Sequence, residues 1–146
     1  MTARVFPFPH EVPVDYTQNA PSSGYVAIVD DDDPLRRALV RLIGAYSYQV
    51  RAYRSGREFL DSLRGGVPAC LILDLQMLEM TGLELAQHLK DIGLRIPTIF
   101  LTARDEPSVR SSCDMMGGIA FLVKPVMQDL LLESINVAIG VRSAVR

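Results

Sequence analysis

The chain predicts a doubly wound α/β fold with five parallel strands alternating with five helices. Three observations carry that reading. Short uninterrupted apolar runs, Tyr25–Val29 and Ala69–Leu73 among them, have the character of parallel strands buried on both faces. Between the runs lie segments whose apolar residues recur at helical spacing. Two of the runs end in carboxylate: Asp30-Asp31-Asp32-Asp33 after the first strand and Asp74 after the third. Open parallel sheets bind ligands outside the carboxyl ends of their strands, so that edge is the candidate site.

Taken in order, Tyr25–Val29 is the first strand. Leu35, Ala38, Leu39, Leu42 and Ile43 follow at i, i+3, i+4, i+7 and i+8, which predicts a helix. Asp33 suits its N-cap and Pro34 its first turn, which leaves Asp30 and Asp31 at the strand end. Gln49–Tyr53 is a weaker strand, and Gly56–Leu63 a short helix with Phe59, Leu60 and Leu63 inward. Gly65-Gly66-Val67-Pro68 breaks that helix and opens the third strand, Ala69–Leu73. Leu85, Leu89 and Ile92 mark a helix after the Thr81-Gly82 turn. Pro97–Leu101 is the fourth strand, and Val109, Cys113 and Met116 stripe the fourth helix. Gly117-Gly118 ends it before the strand Ala120–Val123, and the last helix runs from about Gln128 to Val141. Strands alternating with helices in this way imply right-handed crossovers.

Composition narrows the class. The 146 residues are 49% hydrophobic and 22% charged, the balance of one soluble domain with a real core. A net charge of −2 advertises no broad basic face for nucleic acid, and Arg36, Arg37 and Arg41 cluster on a single helix. No apolar stretch reaches the ~18 residues of a membrane span. Residues 1–24 carry four prolines and no apolar core of a signal peptide, so they are expected to form an extended or disordered leader ahead of a domain at 25–143. Cys70 lies in an apolar strand and reads as a small buried hydrophobe. A cytoplasmic setting is expected.

The chemistry lies at four strand ends, which supply Asp30 and Asp31, Asp74, Thr102 and Lys124. Carboxylates packed together repel, which raises a pKa or recruits a cation. Mg²⁺, a hard ion that takes oxygen ligands, would relieve the repulsion and neutralise an incoming phosphoryl group. Asp74 could then attack phosphorus to form an aspartyl phosphate, with the Thr102 hydroxyl and Lys124 ammonium on the phosphoryl oxygens. Of the acidic pair, Asp31 lies one residue beyond the strand end and is expected to be the direct ligand, with Asp30 acting through water.

The segments VAIVDDDDPLRRAL, CLILDLQM, MTGLELAQHL, PTIFLTA and GGIAFLVKP resemble the receiver domains of bacterial two-component response regulators. The likeness covers about residues 25–141, and the intervals of 43, 28 and 22 positions separating Asp31, Asp74, Thr102 and Lys124 match the family's habit. It implies a flavodoxin-like sheet in the order 2-1-3-4-5, with Asp74 as phosphoacceptor for a sensor histidine kinase. It also implies Mg²⁺ on Asp30, Asp31, Asp74 and the Gln76 backbone carbonyl, with Thr102 and Phe121 as switch residues. Phe121 can equally be read as a strand aromatic that fills the core. The chain would then act by phosphorylation and dephosphorylation of itself rather than as an enzyme on other substrates.

Departures from the family's pattern bear on the site. Leu78, not proline, follows Met77, which is expected to loosen the phosphoacceptor loop. Gly118 stands where alanine is usual, and Gln76 and Arg104 occupy the variable positions beside the phosphoryl group. The wording resembles receivers joined to a C-terminal helix-turn-helix, for which residues 142–146 are too few. On the last helix, Leu131, Ile135, Ala138 and Ile139 form one stripe. Leu130, Val137 and Val141 form a second, either a partner or homodimer surface with the fourth helix or a cover for the sheet edge. Two other functions fit the same residues less well. A degenerate receiver, a constitutive interaction module, would lack one of the reactive residues, and all are present. An Mg²⁺-dependent phosphatase would want Asp-x-Asp after the first strand and a cap region, and it leaves Asp74 unexplained.

Overall fold

The computed structural model describes residues 24–144, with the side chains of 141–144 outside the described set; the expected leader therefore lies outside it apart from Gly24. In chain order the elements are β1 (Val26–Val29), α1 (Asp33–Ala45), β2 (Val50–Tyr53), α2 (Gly56–Ser62), a 3₁₀ turn (Leu63–Gly65), β3 (Cys70–Asp74), α3 (Gly82–Asp91), β4 (Thr98–Thr102), α4 (Pro107–Met115), β5 (Gly118–Val123) and α5 (Gln128–Ala144). All strand pairs are parallel, and the sheet order is β2-β1-β3-β4-β5. The expected doubly wound, flavodoxin-like topology is the one observed.

Side chains alternate across the strands with the period of two that a pleated sheet imposes. Val26 and Ile28 of β1, with Cys70 and Ile72 of β3, face Leu39 and Ile43 of α1 and Leu131, Ile135 and Ala138 of α5. Ala27, Val29, Leu71 and Leu73 face the other way, onto Phe59 of α2, Leu85 and Leu89 of α3 and Cys113 of α4. Both faces are covered, so the central strands are apolar throughout. Burial pushes both thiols up, Cys113 to about 12. Neither is a poised nucleophile.

Two local expectations are corrected. Asp32, not Asp33, caps α1: its Oδ1 accepts from the Leu35 N–H at 3.1 Å. Pro34 has no N–H, so Leu35 offers the first N–H suited to a cap, and an aspartate three residues earlier reaches it. Asp33 instead sits in the first turn and pairs with Arg36. Ile92 is not part of the inward stripe of α3. The helix ends at Asp91, the chain turns through Gly93 at φ +82°, and Ile92 is 52% exposed.

Close backbone approaches set the shape of the site edge. A Cβ on Gly82 would lie 2.4 Å from the Asp74 carbonyl oxygen, because α3 starts directly against the end of β3. At Gly118 a Cβ would lie 2.7 Å from the Cys113 carbonyl and 2.8 Å from the Phe100 ring, beside a register irregularity between Thr98 and Ile99. The usual alanine would not fit there without movement of the backbone. Gly82→Ala and Gly118→Ala are each expected to destabilise the domain by roughly 1–3 kcal/mol, the scale of overpacking. Gly44→Ala in α1, where a Cβ would meet nothing within 4 Å, should be neutral or stabilising. Thermal unfolding of the three variants checks the contrast.

Candidate functional site

Register alone brings the strand ends together. Val29 pairs with Leu73, Asp74 with Leu101 and Thr102 with Val123, so Asp30, Asp74, Thr102 and Lys124 emerge along one edge. The acidic residues gather where β1 and β3 adjoin, the point at which successive strands diverge to opposite halves of the sheet. Crevices form at such switch points.

Asp30 is fully buried. Its Oδ1 accepts from the Asp32 N–H at 2.9 Å, while Oδ2 is buried and has no hydrogen bond. The nearest cation is the Lys124 ammonium, at 3.9 Å from that oxygen. Asp74 is 2% exposed and holds Lys124 much more closely, with Nζ donating to Oδ1 at 3.0 Å. Asp31 is exposed, and its Oδ2 accepts from the Leu78 N–H at 3.0 Å. One oxygen from each of the three carboxylates lies within 4.8 Å of the others.

Electrostatics follow from that packing. Burial pushes Asp30 up to about 6, with the neighbouring Asp74 charge adding to the shift and the Asp32 N–H and Lys124 opposing it. Burial also raises Asp74, against the hydrogen bond and charge of Lys124. Among the described residues, Lys124 pairs with Asp30 and Asp74 of this three-acid cluster. A buried carboxylate oxygen without a hydrogen bond, with two further carboxylates in reach, is a donor set that fits a small hard divalent cation.

The remaining expected residues divide. Thr102 is 1% exposed at the end of β4, and its Oγ1 accepts from Gln76 Nε2 at 3.1 Å and from the Arg104 N–H at 3.2 Å. Phe121 is fully buried in β5 and belongs to the core of the α2–α3–α4 face, with the Arg110 guanidinium 5.9 Å from its ring centre. At Leu78 the loop after β3 has a tie that proline could not make. The main-chain N–H that proline would lack is the group that holds Asp31.

Three further residues, Gln76, Leu78 and Arg36, make contacts at the site edge. The Gln76 side chain bridges to Thr102 and to the Ala103 N–H. Leu78 donates to Asp31. Arg36 donates to the Asp30 carbonyl at 2.8 Å and pairs with Asp33, so this arginine serves the site edge and not a basic patch. The Gln76 and Leu78 contacts depend on where a loop turns, and no residue spacing announces them, whereas the Arg36–Asp33 pair is an i,i+3 contact within α1.

Comparison with known proteins agrees with this geometry. The family profile described as the response regulator receiver domain matches residues 26–136. The chain is 33% identical over 115 residues to the transcriptional regulatory protein TdiR of Thauera aromatica, covering 79% of this chain and 51% of that protein. To the transcriptional regulatory protein FixJ of Rhizobium meliloti it is 31% identical over 114 residues, covering 76% and 54%. A crystal structure of a response regulator receiver protein from Burkholderia phymatum superposes with a TM-score of 0.69 at 36% identity, over 80% of this chain and 94% of that one.

The chain belongs to the receiver-domain family of two-component response regulators. Such domains are signalling proteins phosphorylated by histidine kinases, and they bind Mg²⁺ at an acidic pocket like the cluster described above. The chain spans about half the length of the curated relatives it matches. No helix among the described residues is long and apolar enough to cross a membrane.

A consequence can be measured without ligand. Because the folded chain holds a proton on Asp30 more tightly than the unfolded chain does, ionising it opposes folding. The penalty is absent below about pH 4 and fully present above about pH 6. Asp30→Asn should therefore raise the metal-free Tm at pH 7.5, by on the order of 2 kcal/mol in stability. The gain should shrink towards pH 4. A gain independent of pH would mean that Asp30 charge is not the cause.

Proposed function

We propose that Asp74 is the phosphoacceptor of this receiver, loaded by a sensor histidine kinase or a small phosphodonor. The observation that carries the reading is the Lys124–Asp74 contact at 3.0 Å beside the underneutralised Asp30 and Asp31. Asp30, Asp31, Asp74 and the Gln76 main-chain carbonyl would hold Mg²⁺, which supplies charge neutralisation for the transferred group. Exposed Asp31 is the carboxylate that a hydrated ion meets first, which suits it to direct ligation, and buried Asp30 lies behind it. Lys124 keeps its ammonium on the acceptor carboxylate, ready for a phosphoryl oxygen, and the Thr102 hydroxyl proton remains free to donate. Phosphorylation and its reversal are then properties of the chain itself.

The output we propose is control of a partner or of an output domain through α4, β5 and α5. Thr102 and Lys124 close β4 and β5, which lead into α4 and α5, so movement at the site is felt on that face. Of the second stripe on α5, Leu130 packs on the core and Val137 is 47% exposed, while the Val141 side chain lies outside the described residues. Val137 is therefore the exposed apolar position through which a homodimer or partner contact would form. The names of the relatives, transcriptional regulatory proteins, support a role in gene control for the whole protein. We assign residues 25–143 to the receiver and 1–24 to a leader. Two buried, unpaired cysteines suit action in the cytoplasm.

Treatment with acetyl phosphate and Mg²⁺ should add one phosphoryl group by intact mass, and Asp74→Asn should abolish it. Persistence of the adduct in that variant would place the acceptor elsewhere. Asp31→Ala should weaken Mg²⁺ binding more than Asp30→Ala does, and equal affinity in wild type and both variants would remove the metal site. On phosphorylation, amide chemical shifts should change across residues 102–116 and 121–141 with a rise in self-association or partner binding. Changes confined to the loops at Asp31 and Asp74 would refute the switch.

A further inference from the structure

The Gln76 carboxamide makes two hydrogen bonds across the site. Nε2 donates to Thr102 Oγ1 at 3.1 Å, and Oε1 accepts from the Ala103 N–H at 3.1 Å. One planar group, two residues beyond Asp74, therefore ties the loop after β3 to the end of β4. The donors on that side of Asp74 are the Thr102 hydroxyl and the Ala103 N–H, since Asp74 pairs with Leu101 in the sheet. With Gln76 Nε2 and the Arg104 N–H both directed at Thr102 Oγ1, the acceptor capacity of that oxygen is filled. The Ala103 N–H is engaged as well.

We infer that Gln76 is a positioning residue that acts as a latch: its carboxamide occupies the end of β4 until a phosphoryl group on Asp74 displaces it. The inference rests on the reading of Asp74 as phosphoacceptor. An oxyanion attached to Asp74 competes with Oε1 for the Ala103 N–H, and an anion is the stronger acceptor. Both hydrogen bonds belong to one rigid amide, so losing the first swings the second away from Thr102. Arrival of the phosphoryl group thereby releases Thr102 and the loop leading into α4 together. Gln76 is exposed, so the displaced side chain moves into water without a burial penalty. The latch works against phosphorylation in the resting chain and lowers the affinity of the site for the group that opens it.

Beryllofluoride with Mg²⁺, titrated onto the full 146-residue chain and followed by amide NMR, tests this. Gln76→Met has nearly the same shape, makes neither hydrogen bond and keeps the main-chain carbonyl. It should bind beryllofluoride roughly three- to tenfold more tightly than wild type, the scale of one or two neutral hydrogen bonds. The Ala103 amide of the ligand-free variant should also lose protection from hydrogen exchange. Gln76→Glu, which can still accept from Ala103 but adds negative charge beside Asp74, should bind more weakly than wild type. Equal or weaker binding by Gln76→Met, with wild-type binding still lost in Asp74→Asn, would overturn the latch and leave the phosphoacceptor reading standing. No binding by wild type, or binding that survives Asp74→Asn, would overturn both.

Discussion

Three carboxylates and one ammonium at the junction of β1 and β3 form the constraint on which the rest of the structure depends. Parallel pairing of two apolar strands forces Asp30 and Asp74 side by side, and burial of the strands removes the water that would otherwise solvate them. Lys124, delivered by β5 from the far side of β4, lies closer to Asp74 than to Asp30. The charge balance is thus left uneven, with one buried oxygen of Asp30 unserved by any hydrogen bond. In a water-poor site such an imbalance is destabilising for the fold and favourable for a cation. The same arrangement that weakens the resting domain suits it to the metal and phosphoryl group proposed for the site.

The loops around that cluster are shaped by main-chain atoms more than by side chains. Gly82 lets α3 begin against the Asp74 carbonyl, and the Thr81–Glu84 capping box fixes the start of that helix. Leu78 keeps an N–H that proline would delete, and through it the loop after β3 holds Asp31. Gly118 accommodates the carbonyl of Cys113 and the Phe100 ring where α4 turns into β5. Leu78 and Gly118, two of the departures from the usual receiver pattern, thus have a local reason in packing or hydrogen bonding.

Much of the molecule was legible before any coordinates. Strand-like runs of four or five residues, helical spacing between them and glycine-rich breaks were enough for five strands, five helices and a doubly wound sheet. The residues with polar groups at strand ends were legible too, because a strand's last side chain must lie at the sheet edge whatever the loop does. Helix ends were less so. The cap of α1 moved to Asp32 because Pro34 lacks an N–H, and Ile92 left its stripe because α3 stops one residue earlier.

By itself the sequence determined the class of fold, the two-sided burial of the central strands and the set Asp30, Asp31, Asp74, Thr102 and Lys124, since these follow from periodicity and chain order. Tertiary structure alone decided how that set is used at rest: which acid Lys124 holds more closely, which oxygen is left without a hydrogen bond, and that Gln76 bridges to Thr102 and Ala103. The physical reason is that hydrogen bonds and ion pairs across the site form between loops distant in sequence. Their geometry depends on differences of an ångström or less, and residue spacing carries no such information.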